Sequence, residues 1–436
     1  MRGCRCSMIM GFTKPIEHLT LFTKEGDFMN PLYVGIDVSS KSNVVYLMLP
    51  NGDKHSNFSV TNSLDGSTQL VKRILSALTS YSLDTVLIGL EATSVYGDNL
   101  VYFLREDASL ASFNRKIHVL NPKQVKKFKE AYNDLSKNDY VDSFVIADCL
   151  RFGRINKEVY LGDYHYKALQ NLTRARFFAV NNLIKEKQRF MNVLFKKYST
   201  MTQAKVFSDT FSATALAVYD EFESAEALAN MDLQELTEFI IEKGKNRFPD
   251  PDTVAKAIQK AARSSYRLPK TVNDSVNQVL SISITSMKAL ESQIKEFDKA
   301  ISAQMELLPN VLTSIPGIGP VFSAGIIAEI GDINRFESHA QLAKYAGLAW
   351  KQHQSGDFEA QNTRLIKSGN RFLKYYLCEA AFSLVRCDKE YKDFYHLKYK
   401  EVNRYQHKRA LALTARKFVR LVFALLKDNR LYHPAE

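Results

Sequence analysis

The sequence has few cysteines and no long apolar run, and both features restrict the class of protein. The five cysteines are Cys4, Cys6, Cys149, Cys378 and Cys387. Their spacing matches no paired metal-ligand motif, and their number is too small for a disulfide framework, which fits a reducing cytosol. No apolar stretch reaches the roughly 18 residues that a membrane span requires, and no signal-peptide pattern is present. The sequence therefore predicts a soluble, cytoplasmic protein.

Internal repeats and low-complexity tracts are also missing, and acidic residues are in the minority. The 436 residues, of which 45% are hydrophobic, are enough for two or three domains with their own cores. The net charge of +12 indicates a polyanionic partner, because Lys and Arg displace condensed counterions from nucleic acid. Residues 351–436 hold 18 Lys and Arg against 9 Asp and Glu, so this region is the predicted electrostatic footprint.

Strand and helix patterns in the first third of the chain predict an α/β domain. Three β-rich runs (LYVGIDVSS, NVVYLMLP and KHSNFSV) precede a helical pattern, and the apolar runs TVLIGLE and KIHVLNP follow around a second helix. Asn51-Gly52 between the second and third runs is typical of a type I′ hairpin. This order predicts a mixed sheet that begins with three antiparallel strands and continues with parallel ones.

The remainder of the chain is predicted to be helical. Long amphipathic helices over about 166–198 and 271–308 indicate an antiparallel coiled-coil or dimerisation arm, with a plain helical bundle as the alternative. Pro-Gly-Ile-Gly-Pro at 316–320 resembles a helix-hairpin-helix turn whose amides face a phosphate; the alternative is a tight turn without a ligand.

We expect a disordered or non-native leader (1–28), an α/β catalytic domain (29–160), a helical oligomerisation region (161–310) and a helical C-terminal domain (311–436).

Four carboxylates in the first third are candidates for a metal site. Asp37 and Glu91 end the two most apolar strands, and Asp139 and Asp142 project from one helical face. Clustered carboxylates repel one another unless divalent cations neutralise them, and a pair of Mg²⁺ ions suits phosphodiester chemistry. Asp148 is a weaker candidate, because its offset from Asp139 turns it away.

The segments GIDVSSK, LEATSVYG, NPKQVKKF and KNDYVDS together resemble the RuvC-like DEDD domain of an insertion-sequence transposase family, the bridge-RNA-guided recombinases. The resemblance implies a RuvC/ribonuclease H-like fold and places the four ligands of Mg²⁺ (or Mn²⁺) on Asp37, Glu91, Asp139 and Asp142. Asn138 replaces the threonine of the usual Lys-Thr-Asp pattern, and Ser143 replaces alanine. Neither departure removes a ligand.

A second segment, from Tyr345 to Phe382, is similar to the C-terminal domain of the same family. The resemblance places the nucleophilic serine of that domain on Ser355, followed by Gly356. Ser-Gly pairs are common in turns, so the role of Ser355 depends on the resemblance. His353 is a candidate base, or alternatively a local polar contact.

Basic residues on predicted helical faces are the candidate nucleic-acid contacts, with solvated helix faces as the alternative. They are Lys123, Lys126, Lys127, Arg364, Lys367, Arg371, Lys374, Arg416, Lys417 and Arg420. By resemblance the partners are donor and target DNA, an element-encoded noncoding guide RNA, and further copies of the chain in a dimer or tetramer.

The favoured function is that of a transposase or site-specific recombinase that cuts and rejoins DNA. A hydrolytic nuclease of the Holliday-junction resolvase type, in which water attacks and Ser355 is structural, is the main alternative. GIDVSS also resembles the first phosphate loop of actin-like kinases, but no second glycine-rich loop or adenosine motif accompanies it. A non-catalytic nucleic-acid scaffold remains open if the acids do not converge.

Overall fold

The computed structural model describes residues 30–92, 95–132, 135, 138–153, 164–308, 310–350, 354–355, 358–359 and 364–434, with 354–355 and 358–359 described by their backbone. The expected leader and His353 lie outside the described residues. The chain divides into two compact units between Tyr160 and Leu161. Among the described helices, none is both long and apolar enough to span a membrane.

The first unit contains one five-stranded sheet and its helices. The strands are β1 Pro31–Val38, β2 Ser42–Met48, β3 Lys54–Thr61, β4 Thr85–Glu91 and β5 Asn114–Leu120. The helices are α1 Leu64–Ser80, α2 Asp98–Glu106, α3 Pro122–Lys129 and α4 Asp139–Arg151, with a 3₁₀ turn at Val95–Gly97. The sheet order is β3-β2-β1-β4-β5. β2 pairs antiparallel with β1 and β3, whereas β4 pairs parallel with β1 and β5, so the predicted mixed sheet is confirmed.

The β2–β3 hairpin is present, but its turn is not the expected type I′. The amide of Gly52 donates to the carbonyl of Leu49 at 2.9 Å, which makes Pro50 and Asn51 the central residues of the turn. A type I′ turn needs positive φ at both central positions, and proline fixes φ at a negative value. Gly52 instead has φ +94°, so the positive-φ residue follows the turn.

The described residues of the second unit are helical apart from a short hairpin and a single β-bridge between Trp350 and Leu365. Its helices are α5 Tyr164–Lys197, α6 Ser199–Ala204, α7 Ala213–Glu221, α8 Ala225–Asn230, α9 Leu233–Gly244, α10 Pro251–Arg263, α11 Lys270–Met305, α12 Pro320–Ile330, α13 His339–Tyr345, α14 Arg371–Cys387, α15 Lys389–Lys400 and α16 Gln406–Asp428. Single 3₁₀ turns occur at Leu312–Ser314 and Ile333–Arg335, and the hairpin is formed by β6 Gln354–Ser355 and β7 Phe358–Glu359.

Helices α5 and α11 pack against each other in antiparallel directions. Arg176 pairs with Asp298, and further along Lys187 pairs with Glu291 at 3.3 Å. One core surrounds the far end of this pair, with Phe190, Leu280 and the helices α6–α10, and a second core joins its near end to α12–α16. Both predicted long helices are therefore present, and each contributes to two cores.

The glycine-rich turn at 316–320 connects the 3₁₀ turn Leu312–Ser314 to α12. Its Gly317 has φ +82°, and its carbonyl accepts a hydrogen bond of 2.7 Å from Ser383 Oγ on α14. A methyl group at Gly317 would lie 2.8 Å from Cys387 Sγ, whereas one at Gly319 would meet nothing within 4 Å. The turn therefore packs on α14 through Gly317 and is open at Gly319.

Candidate active site

Two adjacent glycines let α4 approach the sheet closely. Gly35 of β1 and Gly89 of β4 are neighbours in the parallel register. A methyl group at Gly35 would lie 2.0 Å from the carbonyl oxygen of Ser143 and 2.5 Å from the amide nitrogen of Ala147, both in the backbone of α4. One at Gly89 would lie 2.9 Å from a side-chain methyl of Leu150. Only glycine fits where α4 crosses β1.

The same geometry brings the four acids together. Asp37 and Glu91 lie two residues beyond Gly35 and Gly89, so their side chains share the face of the sheet that α4 covers. Asp139 and Asp142 lie in the first turn of α4. Burial, followed by the charges of Asp142 and Asp139, raises the pKa of Asp37. Burial, followed by the charges of Asp37 and Asp142, raises the pKa of Glu91.

The start of α4 is fixed by its cap. Asn138 is the N-cap residue, and its side-chain oxygen accepts a hydrogen bond of 2.8 Å from the amide of Val141. Asparagine is among the strongest N-cap residues, so replacing threonine here preserves the cap. The helix begins at Asp139, which places both of its acids beside the positive end of the helix dipole.

A lysine also lies at this cluster. Lys129 Nζ is 2.6 Å from Asp142 Oδ1, and its positive charge opposes the rise in the pKa values of Asp37 and Glu91. The positive charge of Lys129 therefore attracts Asp37, Glu91 and Asp142, as a bound cation would. Lys129 is not among the lysines that the sequence pattern indicates as candidates.

The chemistry of the four acids fits a hard divalent cation, since all their donors are carboxylate oxygens held on two strands and one helix. Burial and the charges of the acids raise the pKa of Asp37 and Glu91, and the ammonium group of Lys129 lies beside Asp142. Both observations agree with a site for a cation. Nevertheless, no three His, Cys, Asp or Glu side chains in the described part of the chain are close enough together to hold a metal ion as they stand.

Asp148, the weaker candidate, has a structural role. It is buried, receives a hydrogen bond from Tyr132 and forms a 2.7 Å ion pair with Arg151. Its charge is not among those that shift the pKa of Asp37 or Glu91. The helical offset from Asp139 thus separates it from the cluster, as expected from sequence.

The segment that carries Ser355 is a loop with a closed base. The amide of Asn370 donates to the carbonyl of Tyr345 at 2.7 Å, and the amide of Ile366 donates to that of Ala349 at 2.9 Å. A methyl group at Gly369, where φ is +136°, would lie 2.5 Å from the amide nitrogen of Gly347. Ser355 itself lies on β6, paired with Phe358 of β7.

A buried ionic network, which sequence reasoning missed, anchors the base of this loop. Glu329 of α12 has a fully buried side chain and receives two hydrogen bonds from Arg174 of α5, at 2.7 and 2.9 Å. Asn370 Nδ2 donates to the same carboxylate at 2.7 Å and to Tyr345 Oη at 3.2 Å, while its oxygen caps α14. One side chain thus joins α12, α14 and both ends of the serine loop.

The candidate nucleic-acid contacts differ in how available they are. Those with exposed side chains are Lys123, Lys126, Lys127, Arg364, Lys367, Arg371 and Arg420. Arg371 additionally lies over the rings of Phe178 and Phe372. Lys374 is half-buried on α14.

Two of the candidates on α16 have partners within the protein. Lys417 Nζ pairs with Glu390 at 2.6 Å and lies over the ring of Tyr391. Arg416 is half-buried and donates to His339 Nδ1 at 3.3 Å. The pKa of Arg416 is lowered by burial and by the neighbouring charge of Arg420. Arg420 is therefore the exposed cation of this trio.

Comparison with known proteins identifies the class of enzyme. Residues 34–198 match the transposase family model of the IS110 DEDD domain, and residues 310–396 match that of the IS116/IS110/IS902 transposases. The 44.8 kDa protein of insertion element IS116 from Streptomyces clavuligerus is 27% identical over 75% of this chain and 80% of its own length. The 42 kDa protein of IS900 from Mycobacterium paratuberculosis is 24% identical over 93% and 98%.

A solved structure is also similar to part of this chain. RuvC of T. thermophilus in complex with a Holliday junction substrate is 14% identical, covers 29% of this chain and 98% of its own, and has a TM-score of 0.22.

The two family matches define a transposase, an enzyme that cuts and rejoins DNA. The chain belongs to the IS110 family of insertion-sequence transposases. This membership supports the favoured interpretation from sequence over the kinase and scaffold alternatives.

Proposed function

We propose that the transposase reacts with DNA at the cluster of Asp37, Glu91, Asp139 and Asp142, which holds Mg²⁺ or Mn²⁺. The carrying observation is that adjacent parallel strands β1 and β4 and the first turn of α4 bring four acids to one face of the sheet, where their charges act on one another. A divalent cation bound there supplies charge stabilisation to the phosphodiester group. The rigid strands β1 and β4 position Asp37 and Glu91, and the capped start of α4 positions Asp139 and Asp142.

Ser355 is the proposed nucleophile. Its Oγ forms a bond to the phosphorus of a DNA phosphodiester, and the bond from phosphorus to one deoxyribose oxygen breaks. The serine proton leaves with that oxygen as a hydroxyl group. In the reverse direction, a hydroxyl group of the partner strand attacks the phosphoserine and restores the serine. Support comes from family membership and from the closed, anchored base of the loop.

Nucleic acid contacts are proposed for the exposed lysines of α3 and the exposed arginines near the serine loop and on α16.

An element-encoded guide RNA that pairs with donor and target DNA is proposed from the family resemblance. Strand exchange between two DNA partners favours a dimer or tetramer in the cytoplasm, and the antiparallel pair α5–α11 is the candidate contact. Co-purification of a discrete RNA with the full-length protein, lost on high-salt washing, tests the guide.

The acid cluster is tested by removing single charges. Asp37→Asn and Glu91→Gln are expected to abolish Mg²⁺-dependent strand cleavage, since each removes a ligand charge while keeping side-chain volume. DNA binding in a gel-shift assay should persist. Glu130→Gln, an exposed neighbour outside the cluster, is the matched control and should cleave normally. Normal cleavage by Asp37→Asn would contradict the proposal.

The serine is tested by trapping a covalent intermediate. Denaturing gels of the reaction with labelled DNA should contain a protein–DNA adduct that disappears in Ser355→Ala and persists in the control Ser368→Ala, an exposed serine at the return of the same loop. Free DNA ends without an adduct, formed equally by Ser355→Ala, would favour the hydrolytic nuclease instead.

A further inference from the structure

The position of Lys129 at the acid cluster is not explained by nucleic-acid contact. Its side chain is 24% exposed and that of Asp142 is 34% exposed, so the 2.6 Å ion pair between them is partly shielded from solvent. Partial burial reduces screening by salt and strengthens such a pair. The pair also joins the last residue of α3 to the first turn of α4.

The other lysines of α3 behave differently. Lys123, Lys126 and Lys127 are exposed, and their charges are not among those that shift the pKa values of Asp37 or Glu91. Only Lys129 of this helix has an effect on both strand-borne acids. The basic helix thus has one lysine that serves the acid cluster and three that face solvent.

The backbone around Lys129 is anchored independently of its charge. Val125 of α3 is buried in a cluster with Leu120, Val145, Ile146 and Cys149, which holds α3 against α4. The ammonium group lies at the end of a flexible four-carbon side chain, so it can leave Asp142 while the helix stays in place. Lys129 can therefore be exchanged for another cation without unfolding α3.

We propose that Lys129 is an internal counter-ion of the acid cluster, which pairs with Asp142 in the metal-free protein and must be displaced when a divalent cation binds. This inference depends on the proposed metal site and deepens it. It accounts for two observations together: the 2.6 Å contact of Lys129 with Asp142, and the effect of its charge on both strand-borne acids. Lys129 thereby competes with a divalent cation for Asp142 and lowers the affinity for metal.

The test measures Mn²⁺ binding to the full-length protein by electron paramagnetic resonance of the free ion. Lys129→Gln is expected to bind Mn²⁺ about two- to fivefold more tightly, the upper part of the range that a partly exposed ion pair contributes. Lys129→Arg, which keeps the charge, and Lys127→Gln, which removes an exposed charge of the same helix, should bind like the wild type. In EDTA, Lys129→Gln should melt at a lower temperature than wild type, and Mn²⁺ should close the gap.

Unchanged or weaker Mn²⁺ binding by Lys129→Gln would overturn the inference, as would an equal gain in Lys127→Gln. Asp37→Asn separates this failure from failure of the proposed function. If Asp37→Asn loses Mn²⁺ binding while Lys129→Gln binds like the wild type, the metal site stands and only the role of Lys129 is wrong. If Asp37→Asn binds as the wild type does, or the wild type binds no Mn²⁺, both are wrong.

Discussion

Replacing Gly35 by alanine tests how α4 is positioned over the sheet. The added methyl group would lie 2.0 Å from the carbonyl oxygen of Ser143 and 2.5 Å from the amide nitrogen of Ala147. Both atoms belong to the helix backbone, so neither can rotate away, and α4 must withdraw by about 1 Å or more. Overpacking of this kind typically costs about 1 to 3 kcal/mol, and a backbone clash places Gly35→Ala at the upper end.

Gly89→Ala is the matched control. Its methyl group would meet side-chain atoms of Leu150 and Ile146 at 2.9 to 3.1 Å, which can adjust by rotation. Alanine also reduces the conformational freedom of the unfolded chain, which offsets about 0.4 to 1 kcal/mol. The net change for Gly89→Ala is therefore expected to be close to zero. The two substitutions are chemically identical and occupy adjacent strands.

Calorimetry and hydrogen exchange measure the difference. A cost of about 3 kcal/mol should lower the melting temperature of the first unit by roughly 6 to 12 °C, and exchange across α4 should become faster. Tryptophan fluorescence does not report this change, because the single tryptophan, Trp350, lies in the second unit. The reasoning would be refuted if Gly35→Ala were as stable as Gly89→Ala, or if α4 exchanged at the wild-type rate.

Further predictions concern two buried charged side chains, Lys197 and Glu329, and the N-cap of α4. Burial lowers the pKa of Lys197 from 10.5 to about 8. Between these two pKa values the unfolded chain binds more protons than the folded protein, so the free energy of unfolding should rise between pH 8 and 10. Calorimetry of Lys197→Met should lack this rise. Glu329→Ala removes the acceptor of Arg174 and Asn370; because Arg174 is 36% exposed and stays hydrated, the cost should be about 1 to 3 kcal/mol by urea denaturation followed through Trp350. A milder effect than that of the double variant Arg174→Leu, Glu329→Leu would contradict this. Asn138→Ala should cost about 1 kcal/mol and speed hydrogen exchange at the start of α4, and unchanged exchange would count against the cap.

Local patterns were sufficient to predict the sheet and the acid-bearing elements. Asp37 and Glu91 follow apolar runs that form adjacent parallel strands, and the pattern around Asp139 and Asp142 forms α4. The long helices begin and end within three residues of their predicted bounds. These features depend on residue periodicity, which a single sequence contains.

Features that depend on distant residues were not predictable in the same way. The type of the turn at Asn51-Gly52 depends on which two residues become central, and the hydrogen bond from the amide of Gly52 to Leu49 makes them Pro50 and Asn51, which the dipeptide alone does not indicate. The ion pair of Glu329 joins residues 155 apart, and no local pattern indicates it. Gly35 and Gly89 did carry a signal, because each lies in a strand interior two residues before an acid. The catalytic role of Ser355 remains a prediction.

The continuity of α5 and α11 has a mechanical consequence for the second unit. At 1.5 Å per residue, the 34 residues of α5 extend for about 50 Å without interruption. Leu169, near the start of α5, belongs to one hydrophobic cluster, and Phe190, near its end, belongs to the other. The two clusters are therefore joined by one continuous, stiff helix. We therefore expect a macromolecule bound at one end of α5 to lie at a fixed distance from a molecule bound at the other end.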